Sequence, residues 1–184
     1  LLSTVPLEAP NTILDLGCGP GNVTPFLKSR WPEARIIGLD NSSEMLEKAR
    51  AAHPNIEWIK ADLEEWVPDE PFDLLYSNAV LQWVKGHDTV FPDLLKWLKP
   101  GGYIAIQMPR NFKARSHTTV YETIRNGKWR DRLEPLIRDE PTRPPTFYYD
   151  LLKPLVQSLD FWETEYQQIL EGDNPVPEYV KGSW

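Results

Sequence analysis

The chain has 184 residues, 41% hydrophobic and 26% charged, which is enough for one globular domain with a substantial core. A formal net charge of -7 excludes broad electrostatic attraction to nucleic acid or to an anionic membrane, while still allowing a local basic pocket for a small anion. The single cysteine, Cys18, excludes an internal disulfide and a cysteine metal cluster and points to a reducing, cytoplasmic setting. No apolar run approaches the roughly 20 residues of a membrane span, and Leu1-Leu2-Ser3-Thr4 lacks a signal-peptide pattern, so neither insertion nor secretion is expected.

Short runs of branched apolar residues alternate with helix-period segments, the pattern of a parallel sheet covered by helices in an α/β fold. Asn11 to Leu16 reads as the first strand, followed by the glycine-rich loop Gly17-Cys18-Gly19-Pro20-Gly21. Val23, Phe26, Leu27 and Trp31 recur at helical spacing until Pro32 stops the helix. Arg35 to Leu39 forms the second strand, ending at Asp40; Ser42 or Ser43 caps a helix that carries Met45, Leu46 and Ala49 inward. Ile56 to Ala61 is the third strand, Phe72 to Ser77 the fourth and Tyr103 to Gln107 the fifth.

The helix before the fifth strand is expected at Val90 to Leu98, with Lys99-Pro100-Gly101-Gly102 as its stop. Val120 and Ile124 mark a short helix after Ser116. Pro135, Pro141, Pro144 and Pro145 interrupt the stretch between that helix and Tyr148, so residues 110–149 read as a cover over a site. Asp150 to Leu159 is expected to be helical and Phe161 to Ile169 a further strand. No repeat or second domain is visible, so residues 1–184 read as a single monomeric domain.

In an open parallel sheet, ligands gather at the carboxyl ends of the strands where strand order reverses. Asp15, Asp40 and Asp62 mark the ends of the first three strands. Glycines at 17, 19 and 21 let the backbone approach a ligand, and the following helix offers free amides. A nicotinamide or flavin dinucleotide is the rival ligand, but Asn22 stands at the third glycine position of its usual loop. Asp15 would also repel a pyrophosphate, whereas it favours the ammonium and sulfonium charges of S-adenosylmethionine. Asp40 is then placed for the ribose hydroxyls and Asp62 for the adenine amino group, with Leu39, Leu63 and Trp66 as alternatives for bordering the base. Cys18 has no histidine near it in sequence and reads as a small loop residue, not a nucleophile.

Ile13-Leu14-Asp15-Leu16-Gly17-Cys18-Gly19-Pro20-Gly21, with Gly38-Leu39-Asp40 and Lys60-Ala61-Asp62, resembles the donor site of class I methyltransferases. Arg30-Trp31-Pro32, Asn78-Ala79-Val80-Leu81-Gln82-Trp83, Phe91-Pro92, Gln107-Met108-Pro109 and Tyr148-Tyr149-Asp150 more narrowly resemble the trans-aconitate 2-methyltransferase family. The resemblance runs from about Leu7 to the end. It implies a Rossmann-like three-layer sandwich with a mostly parallel central sheet, here lacking its terminal strand, and further family structure on both sides of this chain. It also implies methylation of a trans-aconitate carboxylate, giving a monomethyl ester and S-adenosylhomocysteine.

The resemblance implies cofactor contacts from Asp15, Gly17, Cys18, Gly19, Asp40, Asn41, Asp62, Leu63 and Asn78. A carboxylate acceptor is already nucleophilic at neutral pH, so no protein nucleophile, obligatory base or metal is expected; positioning is the task. Gln82, Trp83, Gln107, Tyr148 and Tyr149 are candidates for the acceptor pocket. Arg110 leads the basic residues that follow the fifth strand, ahead of Lys113, Arg115 and His117. The fourth strand ends Ser77-Asn78-Ala79-Val80 and lacks the Asn-Pro-Pro-Tyr pattern of amino-group methylases, which favours a small-molecule carboxylic acid over nucleic acid. A different small-molecule acceptor and a noncatalytic S-adenosylmethionine-binding module remain the alternatives.

Overall fold

A computed structural model describes residues 1–137, 142–167 and 169–181, so the interruption expected at Pro141 lies outside the described residues. The chain forms two compact units, Leu1–Pro109 and Arg110–Trp184.

The first unit runs β1 (Thr12–Leu16), α1 (Thr24–Arg30), β2 (Arg35–Asp40), α2 (Ser43–Ala52), β3 (Glu57–Lys60), β4 (Phe72–Asn78), α3 (His87–Lys96) and β5 (Leu98–Gln107). All pairings are parallel, in the order β3-β2-β1-β4-β5. Strand order therefore reverses between β1 and β4, and the loops leaving those two strands flank the switch point.

The register shows which helices share a face. Ile13 pairs with both Ile36 and Leu74, and these three cluster with Leu27 and Trp31 at α1. Asp15, two residues along the same face, pairs with Gly38, and Gly38 pairs with Trp58, which clusters with Leu46 and Ala49 of α2. Right-handed crossovers place α3 on the other face, the one carrying Leu14, Leu16, Leu39 and Leu75, because β4 to β5 runs in the opposite lateral direction. The result is a three-layer α/β sandwich. Fully buried leucines such as Leu27, Leu46 and Leu94 hold the helices down, each contributing about 2 kcal/mol relative to exposure.

Several sequence expectations are corrected. Phe26 is exposed on α1, and Met45 sits at the rim of α2 while Leu46 and Ala49 go inward. The third helix starts earlier than Val90, after Gly86 in a left-handed conformation (φ 69°), and ends before Leu98, which already belongs to β5. Lys99-Pro100-Gly101-Gly102 is not a helix stop: Phe72 pairs with Leu98 and Leu74 with Tyr103, so these four residues bulge out of β5 opposite Asp73.

The second unit contains α4 (Arg115–Asn126), α5 (Arg130–Leu133), α6 (Pro145–Leu152) and α7 (Pro175–Lys181). The helix expected at Asp150 to Leu159 instead starts at Pro145, whose fixed φ suits a first helical position, and it stops before Pro154. Residues 161–167 and Ile169 form no strand, since they gain no ladder partner among the described residues.

Candidate functional site

The loop leaving β1 is held from three sides. The amides of Gly17 and Cys18 both donate to the Leu39 carbonyl, at 2.7 and 3.0 Å, and the Gly21 amide donates to the Cys18 carbonyl at 3.1 Å. The Asp40 carboxylate accepts from the Gly19 amide at 2.9 Å and, through its other oxygen, from the Ser42 amide at 2.8 Å. These four loop amides are thus spent on protein acceptors. Helix α1 is short and has Pro25 in its first turn, so that residue brings no amide to the cradle the sequence suggests. A pyrophosphate needs such a cradle; an adenosyl ligand does not.

A cavity of about 690 Å³ opens over this loop. Gly17, Cys18, Gly19, Asp40, Asn41, Asp62, Leu63 and Asn78, eight of the nine expected donor residues, line it, as do Leu39 and the acceptor candidate Trp83. Trp66 does not, because its ring packs edge-on against Trp97 at 5.4 Å. Met45, Glu64, Ala79 and Val80 line the cavity without having been singled out from sequence. Asp40, Asp62 and Glu64 contribute carboxylates, and among the described residues no Lys, Arg or His is in the lining. Asn41 Nδ2 approaches Asp62 Oδ2 at 3.5 Å, while Asp62 Oδ1 accepts from the Glu64 amide at 3.0 Å.

Asp15 is the exception among the expected donor residues. It is 2% exposed, stays outside the cavity lining and accepts a 2.6 Å hydrogen bond from the Thr24 hydroxyl. The strand pleat explains this: Asp15 shares the face of Ile13, under the helices, and not the strand-end rim. Burial raises its pKa to about 6, against the lowering effect of Thr24 and with a smaller push from Asp40. Burial, followed by the charges of Asp15 and Asp40, likewise pushes the Cys18 thiol well above its usual value, which disfavours the thiolate; the side chain packs in one cluster with Trp58.

The opposite wall comes from the turn after β4. Ala79 has φ 57°, the one non-glycine residue with positive φ among those described. Its amide donates to the Gln107 carbonyl at 2.9 Å, and its carbonyl accepts from Gln82 Nε2 at 2.7 Å. Gln82 and Gln107 therefore brace this turn, and neither lines the cavity.

The remaining acceptor candidates lie in the second unit. Arg110 Nε pairs with Glu163 Oε1. Tyr148 is buried and accepts through its hydroxyl from the Arg143 amide at 3.1 Å, while Tyr149 is about half exposed. His117 lies near the Phe112 and Tyr121 rings, at 5.4 and 6.5 Å, and burial lowers its pKa.

A parallel sheet with its switch point under an acidic cavity suits a Rossmann-like S-adenosylmethionine-dependent methyltransferase, and comparison with known proteins puts the chain in that class. The family of methyltransferase domains matches residues 13–102. Over its whole length the chain is 46% identical to a trans-aconitate 2-methyltransferase of Azoarcus sp. (strain BH72) and 45% identical to one of Streptomyces avermitilis, covering 72% and 71% of those proteins. This chain belongs to the trans-aconitate 2-methyltransferase family. Among solved structures it resembles an S-adenosylmethionine dependent methyltransferase from Mesorhizobium loti, at 32% identity and TM-score 0.54, over 60% of this chain and 52% of that one. The plantazolicin methyltransferase BpumL shares the fold at 20% identity and TM-score 0.61, over 79% of this chain and 57% of that one.

Proposed function

We propose that the protein transfers a methyl group from S-adenosylmethionine to a carboxylate of trans-aconitate, giving a monomethyl ester and S-adenosylhomocysteine. The observation that carries the donor side is the glycine loop whose amides are engaged within the protein, under a wall bearing Asp40, Asp62 and Glu64 and, among the described residues, no cation. Such a wall repels a pyrophosphate and attracts a sulfonium and an ammonium. The acceptor rests on family membership.

Bound in this cavity, S-adenosylmethionine supplies a methyl group on a positively charged sulfur. Asp40 keeps lone pairs beyond its two backbone hydrogen bonds, which supports reading it as the acceptor for ribose hydroxyls, and Asp62, beside Asn41 and bonded to the Glu64 amide, is read as the acceptor for the adenine amino group. Val80, Trp83 and Met45 supply apolar surface that excludes water. An acceptor carboxylate attacks the methyl carbon in line, the new O–C bond replaces the C–S bond, and the pair of electrons from that bond ends on sulfur. A carboxylate needs no deprotonation for this, so the protein's task is alignment.

An acidic donor wall does not attract a tricarboxylate, so acceptor recognition is read as the task of cations outside that wall, with Arg110 as first candidate. The reading also makes the protein a cytoplasmic monomer acting on a small molecule and not on nucleic acid, consistent with its lone buried Cys18 and net charge of -7. No helix among the described residues is long and apolar enough to cross a membrane.

Radiolabelled methyl transfer to a panel of carboxylic acids, with mass spectrometry of the product, tests the proposal. Label on trans-aconitate as a monomethyl ester is the expected result. Label only on an amine or hydroxyl rejects the acceptor, and donor binding without any transfer leaves a noncatalytic binding module.

A further inference from the structure

Gln82 combines three features that do not suit a residue chosen for packing. It is 4% exposed, its Nε2 is committed to the Ala79 carbonyl at 2.7 Å, and its Oε1 is buried with no hydrogen-bond partner among the described residues. An orphaned buried acceptor is unfavourable, and an apolar side chain of similar size would avoid it. The amide is retained where its donor end grips a strained turn: Ala79 sits at φ 57°, in a region that L-residues other than asparagine and aspartate rarely adopt.

That turn bears directly on the cavity. Asn78, Ala79 and Val80 all line it, and Val80 is packed onto Gly17 so closely that a β-carbon at 17 would fall within its side chain. Relaxing Ala79 to negative φ would rotate the peptides on either side and lift Val80 from the glycine loop, displacing two walls together. Gln107 holds only the Ala79 amide, so the carbonyl side of the turn depends on Gln82.

We infer that Gln82 is a positioning residue for the methyl donor: it locks the left-handed Ala79 turn and thereby keeps Val80 seated on Gly17, and it does not act as an acceptor ligand. This inference rests on reading the cavity as the donor site. Binding of S-adenosylmethionine to the unsubstituted protein checks that reading separately.

The test is calorimetric binding of S-adenosylmethionine, with thermal midpoints recorded in parallel. Gln82→Met removes the grip and the orphaned acceptor together, so its midpoint should be equal to or above that of the parent while its donor Kd rises about tenfold, one factor of ten corresponding to 1.4 kcal/mol. Adding Ala79→Gly should return the Kd most of the way, because glycine takes positive φ unaided. Ala79→Val, which keeps Gln82 but cannot sit at this φ, should weaken donor binding as well. The inference is overturned if Gln82→Met binds donor like the parent and raises only the acceptor KM, or if Ala79→Gly restores nothing. Should Gln82→Met fail to fold, unchanged donor affinity in Ala79→Val overturns it instead.

Discussion

Val80 occupies the space that a side chain at Gly17 would need, so the loop after β1 and the turn after β4 are fitted to one another across the switch point. Gly17 also has φ 72°, which imposes a second, independent demand for glycine. Gly17→Ala should therefore combine about 1–2 kcal/mol of left-handed strain with about 1–3 kcal/mol of overpacking. Donor affinity is expected to fall on the order of a hundredfold by calorimetry. Val80→Ala in the same chain should recover only part of the steric term, because the Val80 Cβ itself would lie 2.7 Å from the new methyl group; complete recovery would show that backbone conformation at 17 is irrelevant.

The buried carboxyl of Asp15 should make stability depend on pH in an uncommon direction. Its folded pKa, about 6, lies above the ordinary carboxylate value, so between roughly pH 4 and 6 the folded state binds more protons than the unfolded one. Stability must then fall as pH rises through this window, by up to about 3 kcal/mol for a shift of this size. Asp15→Asn keeps an oxygen for the Thr24 hydroxyl and carries no charge, so urea unfolding at pH 8 should find it more stable than the parent, with the difference vanishing by about pH 4. A cationic donor nearby favours the ionised form. Donor affinity of the parent should accordingly improve from pH 5 to 7, and that of Asp15→Asn should not.

The same residue marks how much of the site is legible in the sequence. Each of the first three strands is a short apolar run ending near an aspartate, and two of those aspartates, Asp40 and Asp62, do reach the cavity. Asp15 does not, although the alternation of Ile13 and Asp15 on one face could have revealed it. Nothing in the run Asn78-Ala79-Val80 signals a left-handed alanine, because that conformation is imposed by Gln82 and Gln107 from outside the turn. The run Phe161 to Ile169 resembles a strand because it is rich in aromatic and β-branched residues, Phe161, Trp162, Thr164, Tyr166 and Ile169; a strand, however, exists only by pairing, and pairing is not written in the segment itself.

Asp73 should matter to the fold and not to the site. Its Oδ2 accepts from the Asn11 and Thr12 amides, both at 2.8 Å, and from Lys99 Nζ at 2.8 Å, tying β1 to the bulge of β5 at the end of the sheet away from the cavity. Burial alone would raise its pKa, but Lys99 and the two amides more than offset this and leave it lowered. The carboxylate's contribution is thus present above its unfolded pKa and is lost as pH falls through the lowered folded value. Asp73→Ala should destabilise by about 2–3 kcal/mol at neutral pH in urea unfolding, with less penalty in acid. Donor Kd should stay within about twofold; a larger change would mean that the far end of the sheet communicates with the loops.

Arg110, the leading acceptor candidate, is found paired with Glu163, and both side chains are more than a third exposed. An exposed pair of this kind contributes about 1 kcal/mol or less, so an incoming carboxylate competes with Glu163 on favourable terms. Glu163→Gln should lower the acceptor KM by up to about fivefold, the factor that 1 kcal/mol represents. Arg110→Ala should raise the acceptor KM at least tenfold while leaving the donor Kd untouched, since a charged hydrogen bond contributes about 1.5–3 kcal/mol. The two changes combined should behave like Arg110→Ala alone, because Glu163 then has no guanidinium to mask. Steady-state kinetics at saturating donor would expose the alternative: if the double variant shows the two single effects simply added, Glu163 acts on the acceptor directly and Arg110 is not the group it guards.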